Sequence, residues 1–311
     1  MRTPLLFFIY ILTVVSVLFA GATPLKRDAD LISDIEMLNF ALTMEYLLSK
    51  AYKDGLAKYS KEVFANAGFE PFTYGRLIEV AEQENRHAKI LQSAVSEAGM
   101  QPVPECEYHF THDNPASFIK TISELEATAA SSYCGFQAFL KRKEYSTIAV
   151  TILATEARHD AWLDSAVRKF NPWSTAFETP LTRKHAYSIF SKYISSCPTS
   201  YPIQLEAFPA LSFASAPVPG QRVQIQVDEA HIEGGNQSLA SHRWVAFLNG
   251  EGIRYAAVHA VNKSFEVTVP NDIAGTVYAL LTSSDRKMTD EVTIAGPALL
   301  TFPYSSTGNL V

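Results

Sequence analysis

Four glutamates and two histidines stand where helical periodicity calls for apolar residues. Glu45 is flanked at helical spacing by Leu38, Ala41, Leu42, Leu48 and Tyr52, and Glu126 by Ile119, Ile122, Ala129, Ala130 and Tyr133. Each carboxylate therefore occupies the stripe that must face a core. Two further stripes carry a Glu followed three residues later by a His: Glu84 and His87 among Leu77, Val80, Ala81 and Leu91, and Glu156 and His159 among Ala149, Ile152, Leu153 and Leu163. Residues three apart share a helix face, so each pair is delivered inward together. An unpaired ionised carboxylate in such an interior costs several kcal/mol, a large share of the roughly 5–15 kcal/mol that stabilise a domain. Something must compensate each one, and two divalent cations would set four positive charges against four negative ones.

The units run Glu, Glu-x-x-His, Glu, Glu-x-x-His, one on each of four segments. His159 follows His87 by 72 residues and Glu126 follows Glu45 by 81, the pattern of a degenerate internal repeat whose first hairpin is longer by nine residues. All six side chains fall near mid-helix and hence at one level. Glu45, Glu84 and His87 are expected to hold one metal ion and Glu126, Glu156 and His159 the other, with some glutamates bridging. Carboxylate and imidazole donors suit two iron ions, with manganese as the alternative, and the lack of Cys argues against structural zinc. The competing reading is an interior ion-pair network using Arg86 and Arg158. It is weakened because a residue two after a helical Glu projects about 160° away from it. Glu82 is excluded on the same ground.

The elements that must position these groups are four amphipathic helices near 28–58, 72–98, 115–141 and 145–170, with a short fifth over 181–195. Pro71 can open the second, Gly99 close it, Asn114-Pro115 open the third and Asn171-Pro172 end the fourth. The link from Gly99 to Asn114 can reach about 50 Å when extended, enough for a simple return or for a crossover along the bundle. After Pro198 the pattern changes. Proline and serine gather over 198–220, and short alternating runs follow, such as Val223–Val227 and Phe265–Val269, with further strands near 242–248, 252–258, 276–282 and 290–295. The expected fold class is a multidomain α-then-β chain: a four-helix bundle over 28–198 and an antiparallel, immunoglobulin-like β-sandwich over 199–311.

Composition bounds the rest. A chain of 311 residues, 47% apolar and 19% charged, is globular in type. Its net charge of −6, with no dense basic cluster, gives no electrostatic footprint for nucleic acid or an anionic membrane. Residues 5–20 form an apolar run behind Arg2, followed by Ala20-Gly21-Ala22. This reads as a signal peptide over 1–22, since the run is short of the roughly 20 residues of a spanning helix. Residues 23–27, ending in Lys26-Arg27, read as a short propeptide with a dibasic site. Sequons at Asn236 and Asn262 fit export, giving a secreted, extracellular or cell-wall location. Of three cysteines, Cys134 falls in a helical stretch, whereas Cys106 and Cys197 lie in loop-like sequence and are the preferred disulfide.

Several residues are left outside the ligand set. Tyr46, Tyr52 and Tyr133 are read as packing on inward helix faces. Asp160 and Asn39 are candidates only to orient the ligand histidines from behind. His109, His112, His185, His231, His242 and His259 lack ligand spacing and are read as surface or loop residues.

Residues 38–47 (LNFALTMEYL), the Glu-x-x-His pairs at 84–87 and 156–159, and Leu125-Glu126-Ala127 carry a resemblance to the secreted ferritin-like proteins of fungi. That family has stress-response and sexual-development members and is related to plant desiccation-associated proteins. The resemblance covers about 28–171 and implies a ferritin-like bundle at or outside the cell surface. Two functional expectations follow. One is an oxygen-dependent di-iron centre that oxidises Fe(II) or consumes O2 or peroxide. The other is a non-enzymatic stress or cell-wall protein with a structural or vestigial metal site, in which metal, if present, holds the bundle together while the β region binds a cell-wall or protein partner. A ferritin-type storage cage is the weaker third, because a glycosylated β region would hinder a closed shell.

Overall fold

The computed structural model describes residues 29–228, 243–261 and 264–308. The leader and dibasic stretch, His231, His242 and the sequon residues Asn236 and Asn262 lie outside the described residues. Six α-helices are described: α1 (Ala29–Lys58), α2 (Lys61–Asn66), α3 (Thr73–Glu97), α4 (Pro115–Phe136), α5 (Lys143–Trp162) and α6 (Arg183–Phe190). Asn114-Pro115 opens α4 as read. The Asn114 side chain accepts from Ser117 N at 2.9 Å, the Ser117 hydroxyl accepts from Asn114 N at 3.2 Å, and Pro115 sits in the first turn, where no amide is required. Helix α4 stops five residues short of the expected 141, in a 3-10 turn over Gln137–Phe139. Helix α5 gives way to a π-helical turn over Leu163–Val167. The short α2 was not expected; it is too brief to show a helical stripe.

Helix α1 packs on α3 and α4, and α5 on α4 and α3. The link between α3 and α4 is therefore the long crossover. It leaves the end of α3, passes Asn39, whose side chain accepts from Val103 N at 2.9 Å, and reaches the far end of α1, where the Tyr59 hydroxyl donates to His112 O at 3.0 Å. Midway, β1 (Glu107–Tyr108) pairs with β2 (Ile194–Ser196), and the expected Cys106–Cys197 disulfide ties the same two segments. The helix expected over 181–195 thus ends early. Its last residues are taken by a 3-10 turn over Ser191–Tyr193 and by this pairing, which is held by a disulfide whose cysteines are 91 residues apart in sequence.

Eight strands follow: β3 (Leu211–Phe213), β4 (Arg222–Val227), β5 (Trp244–Asn249), β6 (Gly252–Ala257), β7 (His259–Val261), β8 (Ser264–Thr268), β9 (Gly275–Thr282) and β10 (Thr293–Phe302). They form two antiparallel sheets, ordered β10-β9-β5-β6 and β3-β4-β8-β7. Ile225 and Val267 from one sheet meet Phe247, Val277 and Leu281 from the other in a common apolar core. The strand expected from 290 begins at Thr293, after a 3-10 turn over Asp290–Val292. Strand β9 is buried along its whole length. Val277, Ala279 and Leu281 face the β core, while Tyr278 and Leu280 join the core of the helices. The two regions therefore share a packed boundary rather than a flexible tether.

Candidate metal centre

The helices bring all six expected side chains to one place. Glu45 on α1, Glu84 on α3, Glu126 on α4 and Glu156 on α5 are fully buried, His159 is 5% exposed and His87 nearly buried. Their ligand atoms fall into two groups, each within 4.8 Å of one another: Glu45, Glu84, His87 and Glu156, and Glu84, Glu126, Glu156 and His159. Glu84 and Glu156 belong to both. The two groups share a pair of carboxylates, one from each Glu-x-x-His unit, where the sequence left open which glutamates would be shared.

Eight of the atoms turned into this cluster accept or donate no hydrogen bond. His87 Nδ1 approaches Glu156 Oε1 at 2.9 Å, and His159 Nδ1 approaches Glu84 Oε1 at 2.9 Å. Neither contact has hydrogen-bond geometry, so both imidazole nitrogens, both oxygens of Glu84 and Glu156, and Oε2 of Glu45 and Glu126 stay buried without a hydrogen bond. Other buried carboxylates of this chain are satisfied. Asp34 accepts from Lys141 N and Arg142 N at 2.8 and 2.9 Å, at the start of α5, and Asp164 accepts from Ser123 at 2.8 Å and Arg168 at 2.7 Å. Among the buried carboxylates of the described residues the cluster is thus the departure from the rule that buried polar groups are hydrogen-bonded. Unshared lone pairs of four carboxylates and two imidazoles converging on one point are what divalent cations require, and the donor set fits iron or manganese.

The electrostatics agree. Burial, opposed by His87 and aided by Glu84, pushes the Glu45 carboxyl up to about 7. Burial and the charges of Glu84, Glu126 and Glu45 drive Glu156 well above the carboxylate range. For Glu84 burial acts upward, but His159 and His87 outweigh it and hold it near 2. For the histidines burial acts downward, yet the surrounding carboxylates win, raising His87 and taking His159 to about 10. Protons are drawn to the spot that a cation would take.

Each isolated glutamate also has a hydroxyl partner. Tyr52 of α1 donates to Glu126 Oε1, and Tyr133 of α4 to Glu45 Oε1, both at 2.5 Å. Both tyrosines are fully buried, and burial together with the adjacent glutamates raises their pKa far above the usual phenol value, so they remain donors. Their reading as packing alone is corrected. Each tyrosine lies seven residues after one glutamate and bonds the other, so the repeat is crossed. That spacing was the available signal. Gln83 was missed as well: His159 Nε2 donates to its Oε1 at 2.9 Å, which leaves Nδ1 free to face the cluster.

The residues proposed to orient the histidines do other work. Asn39 secures the crossover, and Asp160 lines a cavity with Glu178 beside segment 172–179. His112 and His185 are buried rather than superficial. His112 packs on Tyr59 and Phe118, and His185 Nε2 lies 3.0 Å from Thr293 Oγ1 at the boundary with the β region. His109 and His259 are exposed, as are Glu82, Arg86 and Arg158.

A bundle with a long crossover and a buried carboxylate–histidine cluster is ferritin-like in kind. Residues 33–169 match the family described as Ferritin-like domain. Among individual proteins, the chain is similar to Protein rds1 of Schizosaccharomyces pombe, 29% identical over 239 residues, which is 76% of this chain and 54% of that protein. The chain thus spans about half the length of this curated relative. Two solved structures are also similar. One is a ferritin-like, diiron-carboxylate protein from Bacillus anthracis (18% identity, 44% of this chain and 97% of that one, TM-score 0.39). The other is a dodecameric thioferritin, the bacterioferritin-related protein of Bacteroides fragilis (24% identity, 44% and 84%, TM-score 0.36).

Proposed function

We propose that the helical region is a di-metal centre, with two iron ions and manganese as the alternative, in a secreted protein that oxidises Fe(II) or consumes O2 or peroxide. The observation that carries this reading is the set of buried, unpartnered ligand atoms on Glu45, Glu84, His87, Glu126, Glu156 and His159. Glu45 and His87 would serve one ion, Glu126 and His159 the other, and Glu84 and Glu156 both. Two iron ions held so would supply electrons for reducing O2 or peroxide. The chain's own contribution is to exclude water, to keep Glu126 and Glu45 oriented through the Tyr52 and Tyr133 hydroxyls, and to hold His159 in one tautomer through Gln83. Location outside the cell rests on the apolar leader, the dibasic stretch and the sequons. Among the described residues no helix is long and apolar enough to cross a membrane. The two sheets with their common core support reading 199–311 as an immunoglobulin-like module.

The full burial of all four glutamates favours a second reading, in which the metal is structural and the protein acts in stress or in the cell wall without turnover. Elemental analysis of natively purified protein, followed by oxygen consumption on adding Fe(II), separates the two. About two ions per chain with catalytic uptake of O2 supports the oxidase, bound iron without turnover supports the structural role, and absence of iron and manganese overturns both metal-bound readings and leaves a non-enzymatic protein with a vestigial site.

A further inference from the structure

The β region reaches the level of the metal centre through one side chain. Tyr278 on β9 is fully buried, and its hydroxyl lies 3.1 Å from Ala127 O and 3.0 Å from Ser131 Oγ, donating toward both. Ala127 directly follows Glu126, whose carboxylate is held from the interior by Tyr52. Helix α4 is therefore gripped on two sides at one level, by a phenol of α1 acting on the ligand and a phenol of β9 acting on the backbone behind it. The same turn of α4 is tied further. Ser131 Oγ donates to Glu178 Oε1 at 2.9 Å, and Leu181 N donates to Ser131 O at 3.0 Å. That strap is bound back to β9, where Thr276 N donates to Ser174 Oγ at 2.8 Å. The segment carrying Ser174 also lies close against β9: a Cβ at Gly275 would fall 2.5 Å from Ser174 O.

We infer that Tyr278 is a positioning residue for the metal centre: its hydroxyl sets the rotation of α4 and so the aim of Glu126. The β region is then part of the metal site rather than an appended binding module. This rests on the metal reading above.

The test uses the full chain, freed of metal and titrated with Co(II), with the visible absorption bands recorded at each step. Tyr278→Phe keeps the ring and removes only the hydroxyl. Val277→Ala, on the opposite face of β9, weakens the β core without touching α4. The wild type is expected to take up two Co(II). Tyr278→Phe should weaken one of the two by about three- to tenfold and shift its bands, at or below the roughly tenfold start of the range for groups bonded to a ligand itself. Val277→Ala should lower Tm and leave both affinities and the bands unchanged. Wild-type behaviour of Tyr278→Phe, or an equal change of affinity in Val277→Ala, would overturn the positioning role. A wild-type chain that takes up no Co(II) would overturn the metal reading and the positioning role with it.

Discussion

The interiors of the two regions are built on opposite terms. The β core is apolar throughout, with Phe247, Val277, Leu281 and their neighbours meeting across two sheets. The helical core is equally well packed around Tyr52, Phe118 and Tyr133 but encloses four carboxylates and two imidazoles, eight atoms of which are buried without a hydrogen bond. The first interior is complete as folded. The second, on the metal reading proposed above, is completed by cations. Asp34 and Asp164 are satisfied by hydrogen bonds, whereas Glu84 and Glu156 face only the two imidazoles and accept no hydrogen bond, and that exception is what the proposed metal centre rests on.

The contrast breaks most sharply at the shared carboxylates. Glu84→Ala and Glu156→Ala should each reduce bound metal below one ion per chain, while Glu45→Ala and His87→Ala spare part of it; elemental analysis that finds all four at the wild-type content would end the metal interpretation. In the other interior, Phe247→Ala should destabilise by about 3–5 kcal/mol in a denaturant titration and leave metal content per folded chain unchanged. The boundary supplies a pH test. Burial holds His185 down at about 4, with Asp290 3.6 Å away acting against it and Lys184 with it. The folded protein thus favours neutral His185, and the unfolded chain binds the extra proton between its ordinary pKa near 6.5 and 4. Stability should fall as pH drops through that window, by about 3 kcal/mol, and level off below it. The difference between wild type and His185→Gln across pH 7 to 4 isolates the effect, and parallel curves would refute it. The smallest expected change comes from the tyrosines. Tyr52→Phe and Tyr133→Phe should each weaken metal binding by about tenfold, equally if the crossed repeat is functionally symmetric, as competition with a calibrated chelator would reveal.

Much of this was legible from residue order alone. Helical period is a local property, so the inward placement of Glu45, Glu84, His87, Glu126, Glu156 and His159 followed from their apolar neighbours three and four residues away, and an isolated acid in such a stripe declares itself. Strand alternation likewise marked β4 and β8. What escaped were features whose cause lies on another element. The early end of α6 reflects β2 pairing with a strand in the crossover. His185 reads as an unremarkable polar residue until β10 is laid against it.

The same division holds at the centre. The sequence by itself determined which ligands turn inward and that they meet at one level, because a helix converts spacing into direction. Only the tertiary structure decided that Glu84 and Glu156 fall in both groups of candidate ligands, that Tyr52 and Tyr133 cross to the opposite repeat, that Gln83 meets His159, and that Tyr278 reaches the backbone beside Glu126. These depend on distances between chains of backbone that no local period encodes.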